Sequence, residues 1–550
     1  MMKASDLFVK CLEEEGIEYI FGVPGEENAD FIMSLSESKK IKFILTRHEQ
    51  GAAFMAEVYG RITGNVAGCL GTLGPGATNL LTGVGDGNMD LAPMLVLAGQ
   101  GSSQRLHKES HQIMDAVSMF KPVTKWSETI RHPDNIPEMV RKAVRLARSE
   151  KPGAVFLELC EDIASMDTSS TPLSVRRYPR PMPESSSIQQ AFEKLKAAKR
   201  PVIIAGNGVI RMEASDNLRR FVDATGIGVI STFMAKGCID MDDDACLYTI
   251  GLGRKDLVAC AVDSADLVFT IGYDLVEYHP HLWNPDADKA VIHLDSMPAE
   301  IDSCYHPELE LVGDIAHTLE ALTKEMSSCQ LAYDLRQQQA VRRDMTQEFE
   351  SYRDDDTQGL IRPQKAIWDA RAVLPPNGIL LSDVGAHKMW IARHYHCHEP
   401  NTCLMPNGFC SMGIALPGAI AASMVRPDQQ VLAICGDGGF LMNVQEMETA
   451  RRYNCNMTVM IWEDKQYGLI AWKQMDHFGK HSPLEFDNPD WMKLADSFGW
   501  NGHRVENSRD LEKQLTIAMN EEGPSLVVIP IDYRENQLLS DRLGNISCPI

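Results

Sequence analysis

Short apolar runs recur along this chain, each closed by glycine or polar turn residues, and longer stretches of helical pattern separate them. The runs at Lys42 to Thr46, Val202 to Ala205, Ile379 to Ser382, Gln430 to Cys435 and Met457 to Trp462 are too short for helices. Their centres lack polar alternation, as in strands buried on both faces. The segment from Arg47 and the one from Asn443 to Arg452 read as helices. This alternation predicts an α/β protein with mainly parallel sheets covered on both faces. Two breaks interrupt it, a polar, proline-rich stretch at 166–187 and a charged, partly helical one at 324–359. The expected division is three doubly wound domains, 1–165, 188–325 and 360–550.

Composition narrows the function classes. A chain of 550 residues is too long for one core, which agrees with several domains. A formal charge of -23 argues against a nucleic-acid partner, because phosphate backbones need basic surfaces. No apolar stretch is long enough to span a bilayer. The N-terminus leads into an amphipathic pattern rather than a signal peptide, so a cytoplasmic location is expected. The 14 cysteines form no Cys-x-x-Cys pair, and Cys69, Cys160 and Cys435 sit in apolar runs, so reduced, buried thiols are expected.

Candidate chemistry clusters at two places. After the run ending at Cys435 comes Gly436-Asp437-Gly438-Gly439, and Asp464 lies 27 positions beyond Asp437, just past the next strand. Glycines let a backbone approach phosphate closely. Carboxylates at the ends of adjacent parallel strands suit Mg²⁺, which keeps few protein ligands. A Gly-Asp-Gly turn alone is a weak signal, and the second aspartate strengthens it. The other cluster is Arg47-His48-Glu49-Gln50-Gly51 at a helix start, flanked by Phe21 to Gly25 and Gly71 to Asn79. Alone, Glu49 reads as an acidic residue in a first helical turn.

Together the two clusters resemble the thiamine-diphosphate (ThDP) enzymes of the acetolactate synthase and pyruvate decarboxylase superfamily, and the resemblance covers nearly the whole chain. It implies a pyrimidine-binding N-terminal domain, a central domain and a diphosphate-binding C-terminal domain. It makes Glu49 the partner of the aminopyrimidine N1′. It also makes Asp437, Asp464 and the carbonyl of Gln466 the Mg²⁺ ligands. Pro24, Asn79, Val384, Gly385, Ala386, His387, Gly436, Gly438, Gly439 and Tyr467 become candidate cofactor contacts. Met412 falls where an apolar side chain wedges beneath the bent cofactor, and Gln112 in a substrate-side loop. Glu49 of one subunit is expected to face Asp437 of another, which implies a homodimer or homotetramer. The implied reaction is decarboxylation of a 2-keto acid, pyruvate, and its ligation to a second pyruvate, giving 2-acetolactate and CO₂.

Several residues refine the resemblance. The turn Gly206-Asn207-Gly208 is a weak dinucleotide signal with Arg at position 211, and the segment Ile271 to Tyr278 has no arginine. In this the chain is similar to the FAD-free catabolic acetolactate synthases, so FAD is not expected. Those enzymes usually carry a lysine after the Gly-x-Pro-Gly turn, whereas here the sequence runs Gly25-Glu26-Glu27-Asn28. Lys473 stands at an acceptor-pocket position, and a lysine there could meet a carboxylate from the other wall. The alternative functions are a ThDP carboligase or decarboxylase with another donor or acceptor, and a non-catalytic ThDP-binding paralogue. No His-His dipeptide is present, which tilts toward carboligation. The run His394, His396, Cys397, His398 fits no zinc spacing and is expected to be a loop near the cofactor.

Overall fold

The computed structural model describes residues 1–549 except 177–178, 253–254 and 356–358. Parts of both sequence breaks, including Tyr178 and 356–358, therefore lie outside the described residues. Three six-stranded sheets, parallel throughout, make up the fold.

The N-terminal sheet contains β1 (Tyr19–Gly22), β2 (Lys42–Leu45), β3 (Ala67–Gly71), β4 (Met94–Gln100), β5 (Trp126–Ile130) and β6 (Ala154–Cys160), in the order β2-β1-β3-β4-β6-β5. The middle sheet contains β7 (Pro201–Ala205), β8 (Val229–Ser231), β9 (Cys246–Thr249), β10 (Leu267–Ile271), β11 (Ala290–Asp295) and β12 (Leu309–Val312). Its order, β9-β8-β7-β10-β11-β12, is that of dinucleotide-binding folds. The C-terminal sheet contains β13 (Ile379–Ser382), β14 (Cys403–Leu404), β15 (Val431–Gly436), β16 (Thr458–Glu463), β17 (Asn501–Arg504) and β18 (Ser525–Pro530). Its order, β14-β13-β15-β16-β18-β17, repeats that of the N-terminal sheet. Central strands are buried along their whole length, as in β4 and β6, which is why their sequences carry no alternation. Met2–Lys3 and Asp167–Thr168 add a short antiparallel pair.

Helix α1 (Glu49–Thr63) packs on α2 (Pro75–Met89) and on α3 (Ala415–Val425), which joins the outer domains in one core. Glu446 adds a polar contact by accepting the N–H groups of Arg47 and His48 at 3.0–3.3 Å. The middle domain is held by buried Arg393, which donates to Asp256 at 2.7 Å and to Glu348 at 2.5 Å.

Two expectations need correction. The helix expected over 443–452 spans only Glu446–Arg452, and a separate short helix, Asp437–Met442, precedes it with a break at Asn443. The cause is the Asn443 amide, which donates to the Gly413 carbonyl at 2.8 Å instead of facing outward. The cysteines are not all reduced: Cys260 and Cys548 form a disulfide, while twelve remain free. With the partners 288 positions apart, no local spacing signals the pairing.

Candidate active site

In the C-terminal sheet the chain leaves β13 toward β14 on one side and β15 on the other, so a crevice opens between β13 and β15 at their carboxyl ends. Three loops meet there, after Ser382, after Gly436 and after Glu463. A pocket of about 260 Å³ lies among them. Every candidate between Val384 and Tyr467 lines it: Val384, Gly385, Ala386, His387, Met412, Gly436, Asp437, Gly438, Gly439, Asp464, Gln466 and Tyr467.

Asp437 is buried, and its Oδ2 accepts from the N–H of Lys465 at 2.7 Å, the N–H of Asp464 at 3.2 Å and the Asn488 amide at 2.8 Å. Asp464 faces it, and burial together with the Asp437 charge pushes the Asp464 carboxyl up to about 8. Two carboxylates held this close are a destabilised pair that a divalent cation would relieve. The Gln466 carbonyl accepts the Gly468 N–H at 2.8 Å, while its side chain donates to Glu485 at 3.2 Å. A Cβ on Gly468 would collide with Asp464, so glycine is required there.

The opposite wall suits phosphate. Burial lowers the pKa of His387 to about 3, so its ring is neutral, and its buried Nε2 has no hydrogen-bond partner among the described residues. A Cβ on Gly438 would stand 3.1 Å from the Tyr467 ring, and one on Gly439 would stand 3.1 Å from Asp383. An orphaned ring nitrogen and backbone kept bare of side chains fit a bound diphosphate. Asp383, pushed up to about 6 by burial, ties this wall together. It accepts from the N–H groups of Val384 at 2.6 Å and Gly413 at 2.8 Å, which joins the phosphate loop to the Met412 segment.

Glu49 stands apart from that pocket. Its helix starts after β2, where His48 Nδ1 accepts the Gln50 N–H at 3.1 Å as a cap. The Glu49 side chain is buried, and its Oε2 accepts from the Asn79 amide at 3.0 Å. The loops after β1 and β3 interlock beside it. Gly25, next to exposed Pro24, lies against Thr72, which donates to Glu27 at 2.9 Å. The carbonyl of Gln112, a residue with φ 57°, lies against Gly74. Pro24, Asn79 and Gln112 thus gather with Glu49, and none lines the Asp437 pocket.

Lys473 is exposed on α4 (Gly468–Phe478), outside the pocket lining, three residues beyond Ile470, which does line it. The histidine run lies elsewhere than expected. His396 and His398 face Asp242 at 3.3 Å and Asp240 at 2.9 Å on the middle domain, and none of the three histidines lines the pocket.

Four participants escaped the sequence. Asn488 lies 51 positions from Asp437 with no motif of its own. Asp383 resembled any loop acid. Cys410 sits at φ 60°, 3.2 Å from the Lys388 ammonium, and Tyr533 reaches the pocket from the last strand-helix turn.

Comparison with known proteins identifies the class. Residues 2–119, 188–322 and 383–529 match the N-terminal TPP binding, central and C-terminal TPP binding domains of thiamine pyrophosphate enzymes. The fold and its three domains are those of a thiamine-diphosphate-dependent enzyme. Full-length relatives narrow this. The chain is 35% identical to an acetolactate synthase of Bacillus subtilis, over 98% of this chain and 95% of that protein. It is 34% identical to a catabolic acetolactate synthase of Raoultella terrigena (98% and 97% covered). It is 31% identical to a probable acetolactate synthase large subunit of Methanocaldococcus jannaschii (100% and 96%). The chain belongs to the acetolactate synthase family. Among the described residues no helix is long and apolar enough to cross a membrane.

Proposed function

We propose that the protein decarboxylates pyruvate and ligates the remaining two-carbon unit to a second pyruvate, giving 2-acetolactate and CO₂, with ThDP and Mg²⁺ as cofactors. The observation that carries this is an Asp437–Asp464 pair opposite an orphaned His387 Nε2, in a chain that matches acetolactate synthases over its full length.

Asp437, Asp464 and the Gln466 carbonyl would hold Mg²⁺, and His387 with the bare backbone at Gly385, Gly438 and Gly439 would hold the diphosphate. When bound, ThDP supplies a nucleophilic carbon and an electron sink for the carboxylate that departs. Glu49, whose Oε2 is fixed by Asn79, would share a proton with the aminopyrimidine. Met412 supports the cofactor from below. Gln112 and Lys473 serve the acceptor.

The pocket lining comes only from residues 384–533, so Glu49 must be brought by a second copy of the chain. A homodimer is the smallest complete enzyme, and a homotetramer satisfies the same requirement.

No flavin is bound in this reading. At the crevice of the middle sheet, between β7 and β10, buried Glu277 accepts the Asn207 N–H at 3.0 Å and bonds Thr232. Its carboxylate takes the place a dinucleotide phosphate would need, and a Cβ on Gly206 would collide with the Gly272 carbonyl. Flavin absorbance in the purified protein would refute this.

The test of the main reading is pyruvate turnover with ThDP and Mg²⁺, following CO₂ and acetolactate together, with Glu49→Gln as control. Acetolactate at about half the molar amount of pyruvate consumed, lost in the control, is the expected result. Acetaldehyde instead would mean a decarboxylase. Glu27, where a lysine usually stands, favours one second reading, a ligase with another acceptor. It would show as CO₂ release that rises when other carbonyl acceptors are added.

A further inference from the structure

Helices α1 and α2 run side by side, each 15 residues and so about 22 Å long. Near their starts Glu49 meets Asn79. Toward their ends lies a second polar cluster that the mechanism above does not use: Glu57 and Arg61 on α1, Asp86 on α2, and Asp90 just beyond α2. Oxygens of the three carboxylates lie within 4.8 Å of one another, and all three side chains are buried.

The cluster grips the segment that carries Met412. Asp90 accepts the Gly408 N–H at 2.6 Å and the Asn407 N–H at 3.1 Å, and Asp86 accepts the Ser411 N–H at 3.0 Å. Arg61 bridges Asp90 at 3.2 Å and the Met405 carbonyl at 3.0 Å. A Cβ on Gly408 would stand 2.8 Å from the Met89 carbonyl, so the segment lies flush on the end of α2. On its far side Lys388 donates to Asn407 Oδ1 and Cys410 Sγ, both at 3.2 Å.

Both oxygens of Glu57 and Oδ2 of Asp86 lack hydrogen-bond partners among the described residues. Two buried carboxylates can stand in contact only if one carries a proton. Burial and the neighbouring Asp86 and Asp90 charges raise Glu57 well above its ordinary range, and burial with the Asp90 charge brings Asp86 up to about 7.

We propose that Asp86 and Asp90 are positioning residues: their bonds to the backbone at 407, 408 and 411 set where Met412 stands, and Glu57 holds a proton toward Asp86 that keeps the cluster compact. This rests on the reading of Met412 as the side chain beneath the cofactor. Because α1 begins at Glu49 and the cluster near the ends of α1 and α2 holds the backbone at 407, 408 and 411, Glu49 and Met412 of one chain are tied to the same pair of helices. Above neutral pH the shared proton leaves, the carboxylates repel, and Met412 loses its fixed height. Among the described residues the cations that face the cluster and the segment are Arg61, which also stands 3.8 Å from Glu57 and opposes its protonation, and Lys388.

The test measures ThDP affinity of the full-length protein in Mg²⁺, by quenching of tryptophan fluorescence, for Asp86→Asn, Asp90→Asn, Met412→Ala and the double variants. Each single substitution should weaken ThDP about tenfold. Asp90→Asn should add less than twofold in the Met412→Ala background, because both act on one contact. Between pH 6.5 and 8.5 wild-type affinity should fall relative to that of Glu57→Gln, whose amide donates permanently, while Asp464 titrates alike in both. Losses that multiply in the double variants, wild-type affinity in Asp86→Asn and Asp90→Asn, or an unchanged pH profile in Glu57→Gln would each overturn the proposal. If an Asp variant fails to fold, the Glu57→Gln profile decides alone. These readings need no turnover, so a wild-type protein inert toward pyruvate would refute the proposed function and leave this test standing.

Discussion

Replacing Asp464 with asparagine should have opposite effects on stability with and without its cation. In the free protein Asp464 is raised to about 8 by burial and by the Asp437 charge. An aspartate in the unfolded chain ionises near 4. Between those values the folded chain keeps a proton that the unfolded chain has lost, so stability falls as pH rises through the window and is level above it. Each unit is worth about 1.4 kcal/mol, so the roughly three units below pH 7 set a ceiling of about 4 kcal/mol. Asp464 is partly open to water and the pair can relax, so about 2 kcal/mol is the expected penalty. Asparagine removes it. With Mg²⁺ and ThDP at about 100 times their dissociation constants, wild type gains about 2.7 kcal/mol, most of which the variant forgoes. Thermal unfolding at pH 5.5, 7.0 and 8.5, in EDTA and again with both cofactors, reads the difference. Asp464→Asn should melt a few degrees above wild type in EDTA at pH 7, converge with it toward pH 5.5, and melt below it with cofactors. A variant less stable than wild type in EDTA at pH 7 would show that the two carboxylates do not oppose each other, and the reasoning would fail.

Other consequences are simpler. Arg393→Met should cost about 3–5 kcal/mol, because Asp256 and Glu348 would keep buried charge without a partner, and thermal unfolding would report it. Gly439→Ala should weaken ThDP about tenfold with little change in melting temperature, since the added methyl presses on Asp383 where the phosphate loop is tied; titration of ThDP checks it. Thiol titration in denaturant should find 12 reactive cysteines before reduction and 14 after, and 14 at both stages would exclude the Cys260–Cys548 bond.

The sheets were legible because fully buried parallel strands write themselves as short apolar runs, and β13, β15 and β16 fall within a residue of where those runs lie. The metal and phosphate candidates were legible because each sits just past a strand, so the chain order alone brings them to one edge. The rest depends on contacts that no spacing encodes. Asn488 reaches Asp437 from a loop far along the chain, and Asp86 and Asp90 act on residues more than 300 positions away. The histidine run misled for the same reason: its partners, Asp240 and Asp242, belong to another domain.

The strand orders place one crevice in each outer domain. The outer sheets share one order, with the turn-back between β1 and β3 in one and between β13 and β15 in the other, and each crevice gathers chemistry of a different kind. One offers a carboxylate on an amide, Glu49 with Asn79, suited to a nitrogen base. The other offers two carboxylates and an orphaned imidazole, suited to a metal and phosphate. Helices α1 and α3 pack on each other and fuse the cores of the two outer domains. In the proposed function a cofactor that needs both lies between two chains. The middle sheet has a crevice as well, and Glu277 bonds Asn207 and Thr232 there. Besides the Cys260–Cys548 disulfide, the middle domain is tied to the C-terminal domain by Arg393, on the helix that begins at Ala386 in the pocket lining, so disturbing that ion pair should reach the pocket through Ala386 and His387.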